Sequence, residues 1–375
     1  MYKVSDENRK WVDEIWCNID NKLKRVASKN SNKLPYTTVN GVYDNMYEKD
    51  VNWWTNGFWP GLMWLMYIGT KNDIYKEVAE NAEELLDKAL GKFDDLHHDV
   101  GFMWHISSGV NYRLFGGEKS KARTMYAAST LASRYNINGK FIRAWNNDCT
   151  GWVIIDCMMN IPLLYWASDV TNDPRFKYIA ESHAISTMQN HIRPDGSVNH
   201  ILVYDHINGG VVESKCGQGY EEGSSWSRGQ SWALYGFVLS YIHTGKQEYL
   251  DTAKRVAHYF ISCICNDYLP KCDFRSPEEP VIYDTTAGAI AACGLIEIAK
   301  AVPECESKIY LNAAINILKA LEEKFCNWFD EEDSILQCGT EMYHSEKGRH
   351  IPIIYGDYYF VEAIYKLKGF EVLFW

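Results

Sequence analysis

The feature that most constrains the fold is a phrase the chain repeats: an apolar helix, a short polar turn and an amphipathic helix. It is clearest in FWPGLMWLMYIG followed by DIYKEVAENAEELLDKAL, within Asn52 to Leu90 and turning at Gly69 to Asn72. It returns in NIPLLYWASDVTNDPRFKYIAESHA from Asn160 and in ALYGFVLSYIHTGKQEYLDTAKRVAHYF from Ala233. The first half is apolar nearly all round, as for a helix buried on every side, and the second has polar residues on one face. Weaker copies run through Phe102 to Tyr135, broken at Gly116-Gly117, and through Thr286 to Phe325, broken near Pro303. Two helices are left over: Asp6 to Val26, with Trp11, Ile15, Ile19, Leu23 and Val26 at helical spacing, and Asp357 to Leu367. Pairing them across the termini makes six hairpins. Repetition of one helical unit is the signature of a stacked architecture. The simplest closed stack is a ring with the apolar helices inside, an all-α (α/α)6 barrel or six-hairpin toroid; an open solenoid is the alternative and would leave its end hairpins exposed.

No Pro/Gly/Ser-rich linker or charge block divides the 375 residues, so residues 1–375 are expected to form a single (α/α)6 catalytic domain. The formal net charge of -11, with no basic stripe to offset it, speaks against a nucleic-acid partner. Eleven cysteines, an odd number without a CxxC pair, read as reduced thiols. The start, MYKVSDENRKW, has no apolar h-region, and no window approaches the roughly 18 apolar residues of a membrane span. The expectation is a soluble cytoplasmic protein with no membrane partner, a monomer or weak homodimer.

Within hairpins the turns are short, whereas the links between hairpins are mostly long: Ala27 to Val51, Phe93 to Gly101, Asn136 to Gly151, Arg193 to Glu222, Asn266 to Tyr283 and Cys326 to Ile354. In a ring they all fall on the face where the inner helices begin, and long loops over a rigid scaffold are where sites are built. They and the inner-helix starts hold VNWWTNGFWPG, DDLHHDVGFMWH, GSVNH, CGQGYEEGSSWSRGQSW, DFRSPEEPVIYDTT and YGDYYF. Tryptophans with carboxylates, amides and a few basic groups suit a sugar, whose ring has apolar C–H faces and a polar rim. Trp54, Trp145 and Trp226 are therefore expected at the mouth rather than in the core.

One carboxylate stands apart. In AWNNDCTGWVIIDCMMNIPLLYWA, Asp156 is flanked by Ile154, Ile155, Met158 and Met159. Loss of hydration raises the pKa of such a group and can hold it protonated as a general acid. Pro162 opens or kinks the next helix, and a nearby helix N-terminus would lower the same pKa. The residues leave this balance open, and also leave open a helix-capping or Arg-paired Asp156.

Several motifs fail. NNDCTG resembles half a calcium loop, but Cys157 stands where its twelfth-position glutamate belongs. Gly217-Gln218-Gly219 has no preceding strand or βαβ unit. His97-His98-Asp99 could suggest a metal, but adjacent histidines on a strand or helix point apart and no HExxH spacing exists, so a satisfied loop pair is expected and no metal. No GxSxG elbow is present.

The set WTNGFW, HHDVGF, AW followed by IIDCMMNIPLLYWA, SVNH, QGY followed by SSWSRGQSW, ACGLIEIA and YGDYYF closely resembles the unsaturated glucuronyl hydrolases of glycoside hydrolase family 88, from about Asn45 to Lys368. The resemblance implies the (α/α)6 barrel and removal of the Δ4,5-unsaturated uronic acid that polysaccharide lyases leave at the non-reducing end of oligosaccharides, here glycosaminoglycan disaccharides. It places the general acid/base on Asp156 and the second essential carboxylate on Asp99. Sugar-binding positions fall on Trp54, His98, Trp145, His200, Gln218, Trp226, Arg228, Trp232 and Tyr358. Among these Arg228 is the one permanent cation, which makes it the expected partner of the uronate carboxylate.

Ordinary glycosidases set two carboxylates about an oxocarbenium-like centre. The implied chemistry differs: Asp156 protonates C4 of the C4=C5 vinyl ether and assists addition of water at C5, while Asp99 holds ring hydroxyls or tunes Asp156; no cofactor is required. Gly217, just before Gln218, stands where some relatives are expected to carry a side chain that selects the neighbouring sugar. The links Asn266 to Tyr283 and Cys326 to Ile354 are expected to shape that second subsite. The alternatives are an unsaturated rhamnogalacturonyl hydrolase acting on pectin fragments and a non-catalytic sugar-binding toroid.

Overall fold

The computed structural model describes residues 4–92 and 95–375, and in them the repeated phrase folds as helix pairs. Chain order begins with α1 (Asp6–Lys29), a two-strand ribbon of β1 (Thr38–Val39) and β2 (Val42–Tyr43), and the short α2 (Met46–Lys49). The first full pair is α3 (Phe58–Thr70) with α4 (Asp73–Leu90). The second has a broken inner member, α5 (Val100–Trp104) and α6 (Ser108–Phe115), against α7 (Glu118–Ser133). Strands β3 (Tyr135–Asn136), β4 (Phe141–Ile142) and β5 (Trp152–Ile154) precede α8 (Pro162–Thr171) and α9 (Arg175–Asn190). Then come β6 (Ile201–Tyr204), β7 (Val211–Lys215), the pairs α10 (Ser227–Thr244) with α11 (Gln247–Ile264) and α12 (Thr285–Ala301) with α13 (Glu304–Phe325), and the last helix α14 (Ile354–Leu367).

Four hairpin turns pass through a left-handed residue, at Lys71, Gly116, Asn172 and Gly245, the usual way to end one helix and reverse direction. The inner helices are buried nearly all round: every residue of α14 from Ile354 to Leu367 is buried, and so is α12 from Thr285 to Ala299. The ring closes because α14 packs against α3 as well as α12, while α1 packs on α14 and α4. An open solenoid would keep α14 and α3 apart, so the closed toroid is the fold. The inner helices are not wholly apolar: Lys366 of α14 is buried and bridges Glu297 at 2.5 Å and Glu362 at 3.3 Å.

The links also form small sheets, which helical periodicity does not foresee. Strand β5 pairs antiparallel with β6 in the register Trp152↔Val203, Val153↔Leu202 and Ile154↔Ile201, and β6 pairs with β7. Phe141, Val153, Leu202 and Tyr204 form a small apolar core of their own. The sheet ties the link before α8 to the link before α10. The Ile155 N–H donates to the His200 carbonyl at 3.1 Å, which fixes Asp156 beside His200.

Candidate active site

The links enclose a cavity of about 1190 Å³ whose walls include Trp54, His98, Asp99, Trp145, Asp156, His200, Gly217 and Gln218. Met342 reaches it from the link before α14, whereas no described residue of 266–283 lines it. The second link begins at Phe93, which with Asp94 lies outside the described residues.

Asp156 sits in a 3-10 turn, Ile155–Met159, and Pro162 opens α8 rather than kinking it. Desolvation by burial raises the Asp156 pKa to about 7, opposed by the charge of Arg228. The indole of Trp232 also favours the ionised form, although its N–H does not meet hydrogen-bond geometry. Asp156 Oδ2 has no hydrogen-bond partner, and neither does the buried Nε2 of His200, 3.7 Å from it. Neither helix capping nor an Arg salt bridge occupies Asp156.

Asp99 closes the turn before α5, and burial together with the Asp156 charge raises its pKa well above the carboxylate range. Asn160, which sequence reasoning missed although it ends the IIDCMMN motif, joins the two carboxylate segments. Its Nδ2 donates to Asp99 Oδ1 at 3.0 Å and approaches the Asp156 carbonyl at 3.4 Å, and its Oδ1 accepts the Phe102 N–H at 3.0 Å. Gly101 makes room for it: a Cβ there would lie 2.5 Å from Asn160 Oδ1.

The sequence-expected sugar residues divide into two layers. Trp54 and Trp145 are half-buried on the cavity wall; Trp145 stands edge-on to His98 at 5.8 Å, and Trp54 leans on Tyr355 at 5.2 Å. Gln218 donates its backbone N–H to His200 Nδ1 at 3.1 Å and its side-chain N–H to the Glu341 carbonyl at 2.7 Å. Trp226, Trp232, Arg228 and Tyr358 lie behind this wall, between 0% and 3% exposed. Trp226 belongs to the core and carries the His200 ring on its face at 4.0 Å, which corrects its expected place in the site.

The expectation for Arg228 also changes. Its guanidinium bridges Asp284 at 2.5 Å and donates to the Thr340 and Glu341 carbonyls at 2.6 and 2.8 Å. With its charge answered by Asp284, it is a strut below the site rather than a free partner for a substrate carboxylate. Tyr358 is turned toward Phe58 and Trp375, and the tyrosine beside Trp54 and Arg228 is Tyr355. The sequence reading started the last helix at Asp357; it starts at Ile354, and the extra turn carries Tyr355.

His97 and His98 do not point apart. They lie in the link before α5, outside any helix or strand, their rings are 5.1 Å apart at 32°, and both face Asp99. Gly217 has φ +66 and a Cβ there would lie 2.3 Å from His200 Nδ1, so in this chain the position holds glycine for the sake of His200 and offers no sugar-selecting side chain.

Two buried carboxyls beneath an aromatic-walled cavity in an (α/α)6 ring define a toroidal glycoside hydrolase. The model of Glycosyl Hydrolase Family 88 matches residues 23–269, and the chain belongs to that family. It is 34% identical over 333 residues to the unsaturated glucuronyl hydrolase of Bacillus sp. (strain GL1), covering 86% of this chain and 88% of that one. It is 35% identical over 344 residues to the unsaturated chondroitin disaccharide hydrolase of Streptococcus pneumoniae (strain ATCC BAA-255 / R6), covering 89% and 87%. The crystal structure of an unsaturated glucuronyl hydrolase from Streptococcus agalactiae superposes with a TM-score of 0.92 at 30% identity, covering 100% of this chain and 95% of that one. A mutant of that streptococcal enzyme, crystallised with dGlcA-GalNAc6S, superposes with a TM-score of 0.85 at 29% identity, covering 98% and 94%.

Proposed function

We propose that the protein removes the Δ4,5-unsaturated uronic acid from the non-reducing end of lyase-generated oligosaccharides, glycosaminoglycan disaccharides in the first place. The observation that carries this is Asp156, an unpaired buried carboxyl on the cavity wall with a pKa of about 7. A group titrating there holds a proton for donation and returns to its ionised form afterwards. Asp156 donates that proton to C4, the C4=C5 electron pair forms the new C–H bond, and water adds at C5 while its proton passes to the carboxylate. The resulting hemiketal collapses and the aglycone leaves. Asp99, held by Asn160, binds ring hydroxyls or tunes Asp156 as its neighbouring charge. Trp54 and Trp145 wall the ring. No Lys or Arg is among the described residues lining the cavity, so the uronate carboxylate is met by uncharged groups of the His200 and Gln218 wall, with the charge of Arg228 one layer behind.

The decisive assay is the ultraviolet absorbance of the conjugated double bond in unsaturated disaccharides from chondroitin, hyaluronan and pectin. Loss of absorbance on the first two supports the reading, turnover confined to the pectin fragment moves it to a rhamnogalacturonyl hydrolase, and binding without absorbance loss leaves a sugar-binding toroid. We further take residues 1–375 as one catalytic domain, acting in the cytoplasm as a monomer or weak homodimer. All eleven cysteines are free, and among the described residues no helix is long and apolar enough to cross a membrane.

A further inference from the structure

We propose that His97, His98 and Asp99 form a binding site for a divalent transition-metal ion such as zinc or cobalt, and that the ion inhibits the enzyme by sequestering Asp99. One ligand atom from each lies within 4.8 Å of the others. The nearest approaches are 3.2 Å, from His98 Nε2 to Asp99 Oδ1, and 3.5 Å, from His97 Nδ1 to Asp99 Oδ2, so each carboxylate oxygen faces one imidazole nitrogen.

The independent observation is His98 itself. It is 1% exposed, and its Nδ1–H donates to the Ala144 carbonyl at 2.9 Å. That bond sets the tautomer in which Nε2 carries the lone pair, and Nε2 is buried without a hydrogen-bond partner. A backbone carbonyl on one ring nitrogen with the other left free is the outer-shell arrangement of metal-bound histidines. Asn160 holds the ligand carboxylate in the same manner, at 3.0 Å. The cavity opens on all three residues, which leaves a fourth position for water, and Asp50, Asp95 and Asp148 on its walls favour a dication. Binding displaces one contact, the 3.4 Å approach of the Asp99 N–H to His97 Nδ1.

Metal binding stands apart from the reaction, whereas inhibition rests on the proposed hydrolysis. The test titrates the purified full chain with Co²⁺, whose visible spectrum separates nitrogen and oxygen ligands from the thiolates of the free cysteines. One equivalent bound by nitrogen and oxygen is expected, weakened in His97→Ala or His97→Gln by at least the roughly 10–100-fold that loss of a supporting outer-shell group costs. On an unsaturated disaccharide, Zn²⁺ should slow the absorbance loss, with reversal by chelator and with less inhibition in the His97 variants relative to each variant's own metal-free rate. Thiolate-only binding, or equal affinity in wild type and both variants, overturns the site. A bound ion that leaves turnover unchanged overturns the inhibition. An enzyme inactive on every disaccharide overturns the hydrolase reading, while the Co²⁺ spectrum still decides the site.

Discussion

Replacing Asp156 by Asn removes the proton donor while keeping nearly the same shape, and two effects of opposite sign should follow. Catalysis should fall by on the order of 10²–10⁴, the contribution of a positioned general acid, equivalent to about 3–5 kcal/mol of barrier. Stability should move the other way. Burial lifts the Asp156 pKa from 3.8 to about 7, and three units correspond to on the order of 4 kcal/mol between the two protonation states. The sign follows from linkage: a carboxyl whose folded pKa is raised supports the fold fully below its unfolded pKa, and that support is lost as pH rises through 7. Asp156→Asn should therefore match wild type near pH 4 and exceed it in urea denaturation above pH 8, by up to that amount less the cost of the amide's unpaired donors. In the absorbance assay the wild-type rate should decline on the alkaline side near pH 7, and the residual rate of the variant should lack that limb. A folded variant keeping more than about a tenth of wild-type turnover, or one whose limb persists, would refute the assignment of Asp156 as the donor.

Arg228→Ala should destabilise the protein by about 3–5 kcal/mol, because Asp284 is left buried without its partner, and should raise the Asp156 limb by removing the charge that opposes protonation; an unchanged melting temperature would contradict the strut role. Asn160→Ala should lower kcat more than it raises KM, since Asp99 and the Phe102 N–H lose their partner, and equal changes in both would argue against a positioning role. Gly217→Ala should slow the enzyme by displacing His200, and a crystal structure with His200 unmoved would show the position to be permissive. Trp145→Ala should weaken disaccharide binding, read from quenching of tryptophan fluorescence, more than it lowers the melting temperature, because the ring is half-buried on the cavity wall.

The ring was legible because its cause is local. A helix buried on all sides and a helix buried on one side leave different patterns in the chain, and six alternating pairs leave few closed packings. Asp156 was legible for a similar reason, as one charge in an apolar run. What tertiary structure decided were the quantities that depend on neighbours distant in sequence. The Asp156 pKa is raised because the packed turn strips the carboxyl of water, against the lowering charge of Arg228 from α10. Arg228 is one of few cations near the motifs, but its partner Asp284 is 56 residues away and is brought to it only by the packing of α10 on α12. Tyr355 and Tyr358 are three residues apart on one helix, so a sequence pattern cannot say which is level with Trp54; the added first turn of α14 does. Likewise, whether His97 and His98 diverge or converge depends on a single backbone turn, and that turn is set by the contacts of Asp99 and Ala144 rather than by any periodicity in the chain.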